Sequence, residues 1–72
     1  MAVTVKTEIS GVIELVLRAK GDKLDMDDEV ILISAMKMQI PVMSPVAGRL
    51  MDILVAPGDV VSAGQALFVV EK

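Results

Sequence analysis

The residues best suited to chemistry in this 72-residue chain form one short stretch near its midpoint. Ser34-Ala35-Met36-Lys37-Met38 places a primary amine between two unbranched, polarizable side chains. An unprotonated lysine amine is a nucleophile, and lysine is a common target of acylation. One lysine alone is weak evidence of a site, so the meaning of Lys37 depends on the elements that hold it.

The composition excludes several classes of catalytic and structural site. The chain has no cysteine and no histidine, so it can form neither a disulfide nor a Cys/His zinc site. A Ser–His–Asp triad is excluded for the same reason. The acidic stretch Asp25-Met26-Asp27-Asp28-Glu29 lacks the ligand spacing of a calcium loop, so we predict a solvated turn and no metal. No Gly-rich loop leads into a helix, so no site for an ATP phosphate is predicted.

Charge and hydropathy bound the partners and the location. The net charge is −3, the seven cations are scattered along the sequence, and Phe68 is the only aromatic residue. A basic patch and a stacking surface for bases are therefore not expected, which argues against nucleic-acid binding. No apolar run approaches the ~18 residues of a membrane helix, and MAVTVKTEIS does not resemble a signal peptide. We expect no membrane association and a cytoplasmic location.

The apolar residues recur with a period of two, which predicts strands. Leu50–Val55 and Ala66–Val70 are apolar runs of strand length, and Gly and Asp residues mark turns between such runs. No capped helix is apparent. We predict one all-β domain spanning residues 1–72. Its expected core consists of Ile13, Leu15, Leu17, Ile31, Ile33, Leu50, Ile53, Phe68 and Val70.

The most informative feature is an internal repeat. A shift of 37 residues places the segment 10–34 on the segment 47–71 without a gap. Gly11 then aligns with Gly48, and Gly21 aligns with Gly58. Neither copy can bury its apolar face alone, so the two are predicted to pack about a pseudo-two-fold axis.

The repeat also predicts where Lys37 lies. The second copy ends near the last residue, and the corresponding end of the first copy is Ser34-Ala35. The chain must turn back there to begin the second copy. Lys37 is therefore expected at the tip of a hairpin, in water and opposite the termini.

The sequence resembles the biotinyl domains of biotin-dependent carboxylases, also called biotin carboxyl carrier domains. The resemblance rests on Ala35-Met36-Lys37-Met38, on the Pro45-x-x-Gly48 turn and on the Gly-Asp turn in each half, and it extends from about Val3 to Glu71. In length the chain is similar to the small stand-alone biotin/lipoyl attachment proteins. The resemblance implies a flattened barrel-sandwich hybrid of two four-stranded antiparallel sheets. It assigns structural turns to Gly11, Gly21, Pro45, Gly48 and Gly58.

The resemblance also implies a function. Lys37 is the expected site of covalent biotin, joined through an amide by a biotin protein ligase that acts through biotinyl-AMP. The ligase is expected to recognise Ser34, Ala35, Met36 and Met38 around the lysine. In such families a biotin carboxylase loads the carrier, and a carboxyltransferase passes the carboxyl group to an acyl-CoA or to pyruvate. The chain itself is expected to be a non-catalytic carrier.

Two residues depart from the pattern of the resemblance. Biotinyl domains usually have Glu three residues before the modified lysine, where this chain has Ser34. Asp27 stands where the second half has Gly64, in a turn that requires a positive φ that Asp tolerates. Two alternatives remain open: a lipoyl carrier domain of a 2-oxo-acid dehydrogenase, which shares the hairpin lysine, and an unmodified interaction module.

Overall fold

A computed structural model describes residues 1–72, which form eight strands and no helix. The chain therefore contains no helix that could cross a membrane. The strands are β1 (Ala2–Lys6), β2 (Gly11–Val16), β3 (Lys23–Leu24), β4 (Glu29–Ala35), β5 (Met38–Met43), β6 (Gly48–Ile53), β7 (Val60–Val61) and β8 (Ala66–Glu71).

The strands form two four-stranded antiparallel sheets, with the orders β1-β8-β6-β3 and β5-β4-β2-β7. A cluster of 13 buried apolar residues forms the core, and Phe68 is its largest side chain. The molecule measures 32 × 18 × 17 Å. The predicted all-β fold and sheet architecture are confirmed. Pro41 lies on the edge strand β5, where a residue without an N–H is tolerated.

The internal repeat extends further than the sequence comparison indicated. The 37-residue shift relates β2, β3 and β4 to β6, β7 and β8, and it also relates β1 to β5. Buried Thr7 donates its hydroxyl hydrogen to the carbonyl of Ile9 at 2.7 Å. Its equivalent, Ser44, donates in the same way to the carbonyl of Val46 at 2.6 Å. The pseudo-two-fold axis thus exchanges the two sheets.

Two equivalent glycines allow strands to approach closely. A Cβ added to Gly11 would lie 2.6 Å from the carbonyl oxygen of Ser34, and one added to Gly48 would collide with that of Glu71. These glycines are therefore required by contact between strands. Gly21 and Gly58 have φ of 95° and 93°, so the predicted pairs are equivalent in conformation as well as in alignment.

The predicted core is correct in most positions but wrong at Leu15 and Leu17, which are 49% and 42% exposed. The cause is a β-bulge at Glu14, where Ile13 pairs with Ile33 and Leu15 pairs with the next residue, Leu32. The extra residue reverses the alternation, so Leu15 faces outward. Ile53 is only partly buried, and it packs against the core. Core residues that the prediction omitted include Val5, Leu24, Val30, Ala35, Val55, Val61 and Leu67.

The acidic stretch forms a turn, as predicted. The carboxylate of Asp28 accepts a hydrogen bond from the backbone N–H of Asp25 at 2.8 Å, and Asp27 has φ of 71°. Asp27 therefore adopts the left-handed conformation of its equivalent, Gly64, whose φ is 91°. The carboxylates of the chain form no group of three that could hold a metal ion.

Candidate functional site

Lys37 lies at the tip of the hairpin formed by β4 and β5. Ala35 and Met38 are the last residues paired in this ladder, so Met36 and Lys37 alone make the connection. Their φ angles are 52° and 63°, both in the left-handed region. Two consecutive positive φ values are the geometry of the two-residue turn whose twist matches that of antiparallel strands. The predicted hairpin tip is therefore present, and its loop consists of two residues.

The residue types at the tip do not suit its backbone. This turn normally favours Asn-Gly or Asp-Gly, because glycine has no Cβ and short polar side chains tolerate positive φ. Methionine and lysine pay a steric cost in the same conformation. Only three non-glycine residues in the chain have a positive φ, and two of them are Met36 and Lys37. Backbone strain of this kind concentrates at functional sites.

The base of the tip is packed, although the tip is not. Ala35 is buried, and its Cβ would lie 3.1 Å from a Cβ placed on Gly11 of the neighbouring strand β2. A small residue at position 35 and a glycine at position 11 therefore fit each other. This contact fixes the last pair of the ladder, from which the two-residue loop projects.

The side chains of the tip point into water. Met36 is 93% exposed, Met38 is 63% exposed, and Lys37 is also exposed. Lys37 takes part in no ion pair and no side-chain hydrogen bond. Its amine is therefore free to enter the active site of another protein, with a methionine on each side as contact surface.

Ser34 lies in the outward row of side chains just below the tip. It pairs with Gln39 on one side and with Val12 on the other. The amide of Gln39 donates a 2.7 Å hydrogen bond to the carboxylate of Glu14, linking β5 and β2 across β4. This bridge was not predicted, because it depends on strand register and on a bulge that the period-two pattern does not reveal.

The other residues singled out in the sequence lie away from the lysine, with the exception of Gly11. Pro45 lies in the bend between β5 and β6. Gly48 packs against Glu71, the equivalent of Ser34 in the second half. Gly21 and Gly58 lie in the turns before β3 and β7. The structure therefore gathers Ser34, Ala35, Met36, Lys37 and Met38 at one place and assigns the remaining residues to the scaffold.

Comparison with known proteins identifies the family. The sequence profile of the biotin–lipoyl family, described as "Biotin-requiring enzyme", matches residues 1–70. The chain belongs to this family. The predicted resemblance is thereby confirmed, and the biotin–lipoyl domain it implies accounts for the two sheets and the hairpin tip.

Relatives of this biotin–lipoyl domain differ greatly in length. The chain is 37% identical over 70 residues to the "Biotinylated protein TB7.3 homolog" of Mycobacterium leprae, covering 97% of the chain and 99% of that protein. It is 39% identical over 51 residues to the "Biotin carboxyl carrier protein of acetyl-CoA carboxylase" of Pyropia yezoensis, covering 71% of the chain but 32% of that protein.

Solved structures contain the same fold inside much larger enzymes. The Kluyveromyces lactis urea carboxylase matches 99% of the chain with a TM-score of 0.95 and 32% identity, but the match covers 6% of the urea carboxylase chain. The biotin–lipoyl domain described here is thus homologous to the carrier domains of biotin-dependent carboxylases.

Proposed function

We propose that this protein is a biotin carboxyl carrier and that Lys37 is its attachment residue. The observation that carries the proposal is the state of Lys37: an exposed, unpaired amine on a strained two-residue turn, raised on a packed hairpin base. A binding surface that needed only a turn would take Asn-Gly there. The homologues whose names specify biotin support the choice of cofactor.

The residues at the tip fit an amide-linked biotin. The amine has no ion pair to break, and Lys37 and the flanking Met36 and Met38 are all exposed. In the attachment reaction the Lys37 nitrogen would bond to the activated biotin carboxyl carbon, with loss of a proton from the amine and departure of AMP. When bound, biotin supplies a ureido nitrogen that accepts and releases a carboxyl group.

The domain itself positions and carries rather than catalyses. Only an unprotonated amine can attack the activated carboxyl carbon, so the ligase must supply the base that accepts the proton lost in this step. The preformed hairpin presents the amine without the entropy loss of ordering a flexible loop on binding. Met36, Met38 and Ser34 offer exposed contact surface to the ligase, whereas buried Ala35 contributes by fixing the loop. A biotin carboxylase and a carboxyltransferase are the proposed partners of the loaded carrier.

The test is the intact mass of the protein after incubation with biotin protein ligase, biotin and ATP. We expect a single biotinyl increment in the wild-type chain and none in Lys37→Arg, which keeps the charge but not the acceptor amine. Lys72→Arg is the matched control and should gain the same increment as the wild type. An increment that persists in Lys37→Arg would refute the site assignment.

A lipoyl carrier is the second candidate, because the family includes both cofactors. A parallel incubation with lipoate ligase, lipoate and ATP distinguishes them. A lipoyl increment in place of the biotinyl one would overturn the proposed cofactor and retain Lys37 as the attachment residue. The absence of both increments would favour an unmodified interaction module.

A further inference from the structure

A second surface of the molecule gathers its positive charge. Because the cations are scattered along the sequence, no basic patch was expected. That prediction was wrong. Four of the seven cations line one shallow groove of about 680 Å³. They are Lys20, Lys23, Arg49 and Lys72, and Glu71 is the one acidic side chain among the lining residues. We call this surface the basic groove.

Two of these cations face each other across a strand pair. Lys23 of β3 is the register partner of Arg49 of β6, and directly opposed like charges destabilise an antiparallel pair. Neither Lys23 nor Arg49 has a carboxylate within ion-pair distance. The guanidinium of Arg49 donates a 2.9 Å hydrogen bond to the carbonyl of Gly21, which holds it at the groove. Glu71 of β8 is the register partner of Arg49 on its other side, but the structure places the Glu71 carboxylate on the amine of Met1 and not within ion-pair distance of Arg49.

The other half of the repeat shows that the fold does not need this pair. The positions equivalent to Arg49 and Lys23 are Val12 and Val60, which are register partners in β2 and β7. Lys20 likewise corresponds to Pro57. The same backbone therefore carries an apolar, uncharged pair near the lysine tip and a cationic pair in the basic groove. A destabilising pair that the scaffold can replace with valines calls for a role outside folding.

The basic groove lies away from the tip. Strand β2 begins at Gly11, beside Ser34 and the tip, and ends at Val16. Its six residues span roughly 17–20 Å at about 3.3 Å each. The loop that follows leads directly to Lys23 and so to the basic groove. A partner held there leaves Lys37 uncovered.

We propose that the basic groove docks an acidic segment of a partner protein. Arg49 can bind a carboxylate in bidentate fashion, and the lysines add unpaired charge on both sides of it. The groove spans only a few side chains, which suits a short run of Asp and Glu. Docking at this site would hold the carrier near its partner at high effective concentration while the tip remains mobile relative to that partner.

The charge distribution disfavours a nucleic acid as the occupant. Glu71 lies within the groove, and its carboxylate would face any continuous phosphate backbone. No aromatic side chain lines the groove to stack on bases.

The test titrates the full chain with acetyl-capped octaglutamate and follows backbone amide shifts by NMR at low salt. We expect shifts at Gly21, Lys23 and Arg49, with Met36 and Lys37 unchanged. Lys23→Val should raise the dissociation constant by about three- to fivefold, which is the upper range for the loss of one exposed ion pair. The double variant Lys23→Val/Arg49→Val should raise the dissociation constant by about tenfold or more, because each residue contributes one exposed ion pair.

Lys6→Val is the matched control, because it removes one exposed cation outside the groove. It should change the dissociation constant by less than about twofold, as expected for a screened distant charge. The urea midpoint of the double variant should equal or exceed that of the wild type, since the opposed charges are gone. Arg49→Gln removes the charge but keeps an unbranched polar side chain, and it should weaken binding as well.

Four results of these measurements would overturn the proposal, and sedimentation could supply a fifth. These are the absence of shifts in the groove, an equal loss of affinity in Lys6→Val, tighter binding of oligodeoxythymidylate through the same amides, and a lower urea midpoint in the double variant. A concentration-dependent mass in sedimentation that disappears in the double variant would identify a second copy of the chain as the occupant, and this would also overturn it. Every readout uses unmodified protein, so the outcome is independent of biotin attachment.

Discussion

Met36 and Lys37 occupy a turn that their side chains do not favour. Their positive φ values are those of a hairpin normally built from Asn and Gly. The buried Ala35 beneath them holds the ladder in register, so the strain falls on the two loop residues. The residues at this site lower the local stability of the turn, and they present an exposed amine with a methionine on each side.

A first prediction concerns this strain. Replacing Met36-Lys37 with Asn-Gly should raise the free energy of unfolding by about 1–2 kcal/mol, because the new residues tolerate the left-handed backbone. The same double variant should accept no biotin, since the amine is lost. Urea denaturation measures the first effect, and intact mass after ligase treatment measures the second.

Met38→Asn is the control for this prediction. Met38 belongs to strand β5 and does not have a positive φ, so the same chemical change there should bring no stabilisation. If the Asn-Gly variant were no more stable than the wild type, the loop would not be strained. The residue types at the tip would then need another explanation.

At the scale of the strands, the sequence predicted the elements better than it predicted their faces. The matched glycines and the 37-residue repeat predicted two packed copies and the hairpin tip, and the resemblance to biotinyl domains implied the two four-stranded sheets. Alternation failed at Leu15, because the bulge at Glu14 inserts one residue that a period of two does not reveal. The repeat contained a clue: the equivalent of Leu15 is Asp52, which is exposed.

The candidate site shows the same limit. The position of Lys37 at a tip followed from the chain having to turn back after Ala35. The bridge from Gln39 to Glu14 did not follow, because it requires three strands in known register and a bulge that turns Glu14 toward β5. The basic groove was missed for a similar reason, since Lys23 and Arg49 are distant in sequence and meet only through strand pairing.

The bulge yields a second prediction. Leu15→Thr should change the free energy of unfolding by less than about 1 kcal/mol, because residue 15 faces solvent on the outer side of the sheet. Ile13→Ala should lower it by about 2–5 kcal/mol, because Ile13 is fully buried. Urea denaturation of the two variants measures the difference.

The outcome distinguishes two registers of strand β2. A similar loss of stability in both variants would mean that Leu15 packs in the core and that the alternation is unbroken. Asp52→Thr is the equivalent change in the second half and serves as control. It should be as well tolerated as Leu15→Thr.

At the scale of the whole molecule, Met1 and Lys72 lie in the same arrangement as Met38 and Ala35, the residues on either side of the lysine loop. The 37-residue shift maps Met38 onto Met1 and Ala35 onto Lys72. The backbone N–H of Lys72 donates a 2.9 Å hydrogen bond to the carbonyl of Met1, and the amine of Met1 contacts the carboxylate of Glu71 at 2.9 Å. A two-residue connection between residues 72 and 1 would therefore complete a second hairpin.

The third prediction follows from this placement. A chain cyclised through an added Asn-Gly between Lys72 and Met1 should fold to the same structure. Its free energy of unfolding should rise by about 2–4 kcal/mol, because the closed backbone restricts the unfolded state. The linear chain with Asn-Gly appended after Lys72 is the control, and thermal unfolding compares the two.

A cyclic protein no more stable than its linear control would contradict the hairpin register of β1 and β8. If the added connection were strained, the free energy of unfolding of the cyclic protein would fall below that of the linear control. Amide shifts around Lys37 provide an independent check that the distant tip is unchanged. They should be the same in the cyclic and linear proteins.

The pairing of β1 with β8 also determines when the domain can form during translation. Ala2 is the partner of Glu71, so β1 has no neighbour in its sheet until β8 has been synthesised. The sheet that contains the lysine hairpin is complete only when β7 has paired with β2. Strands β2, β4 and β5 pair within residues 11–43, so the lysine hairpin can form before β7 and β8 are made, whereas the sheet that contains β1 is completed last.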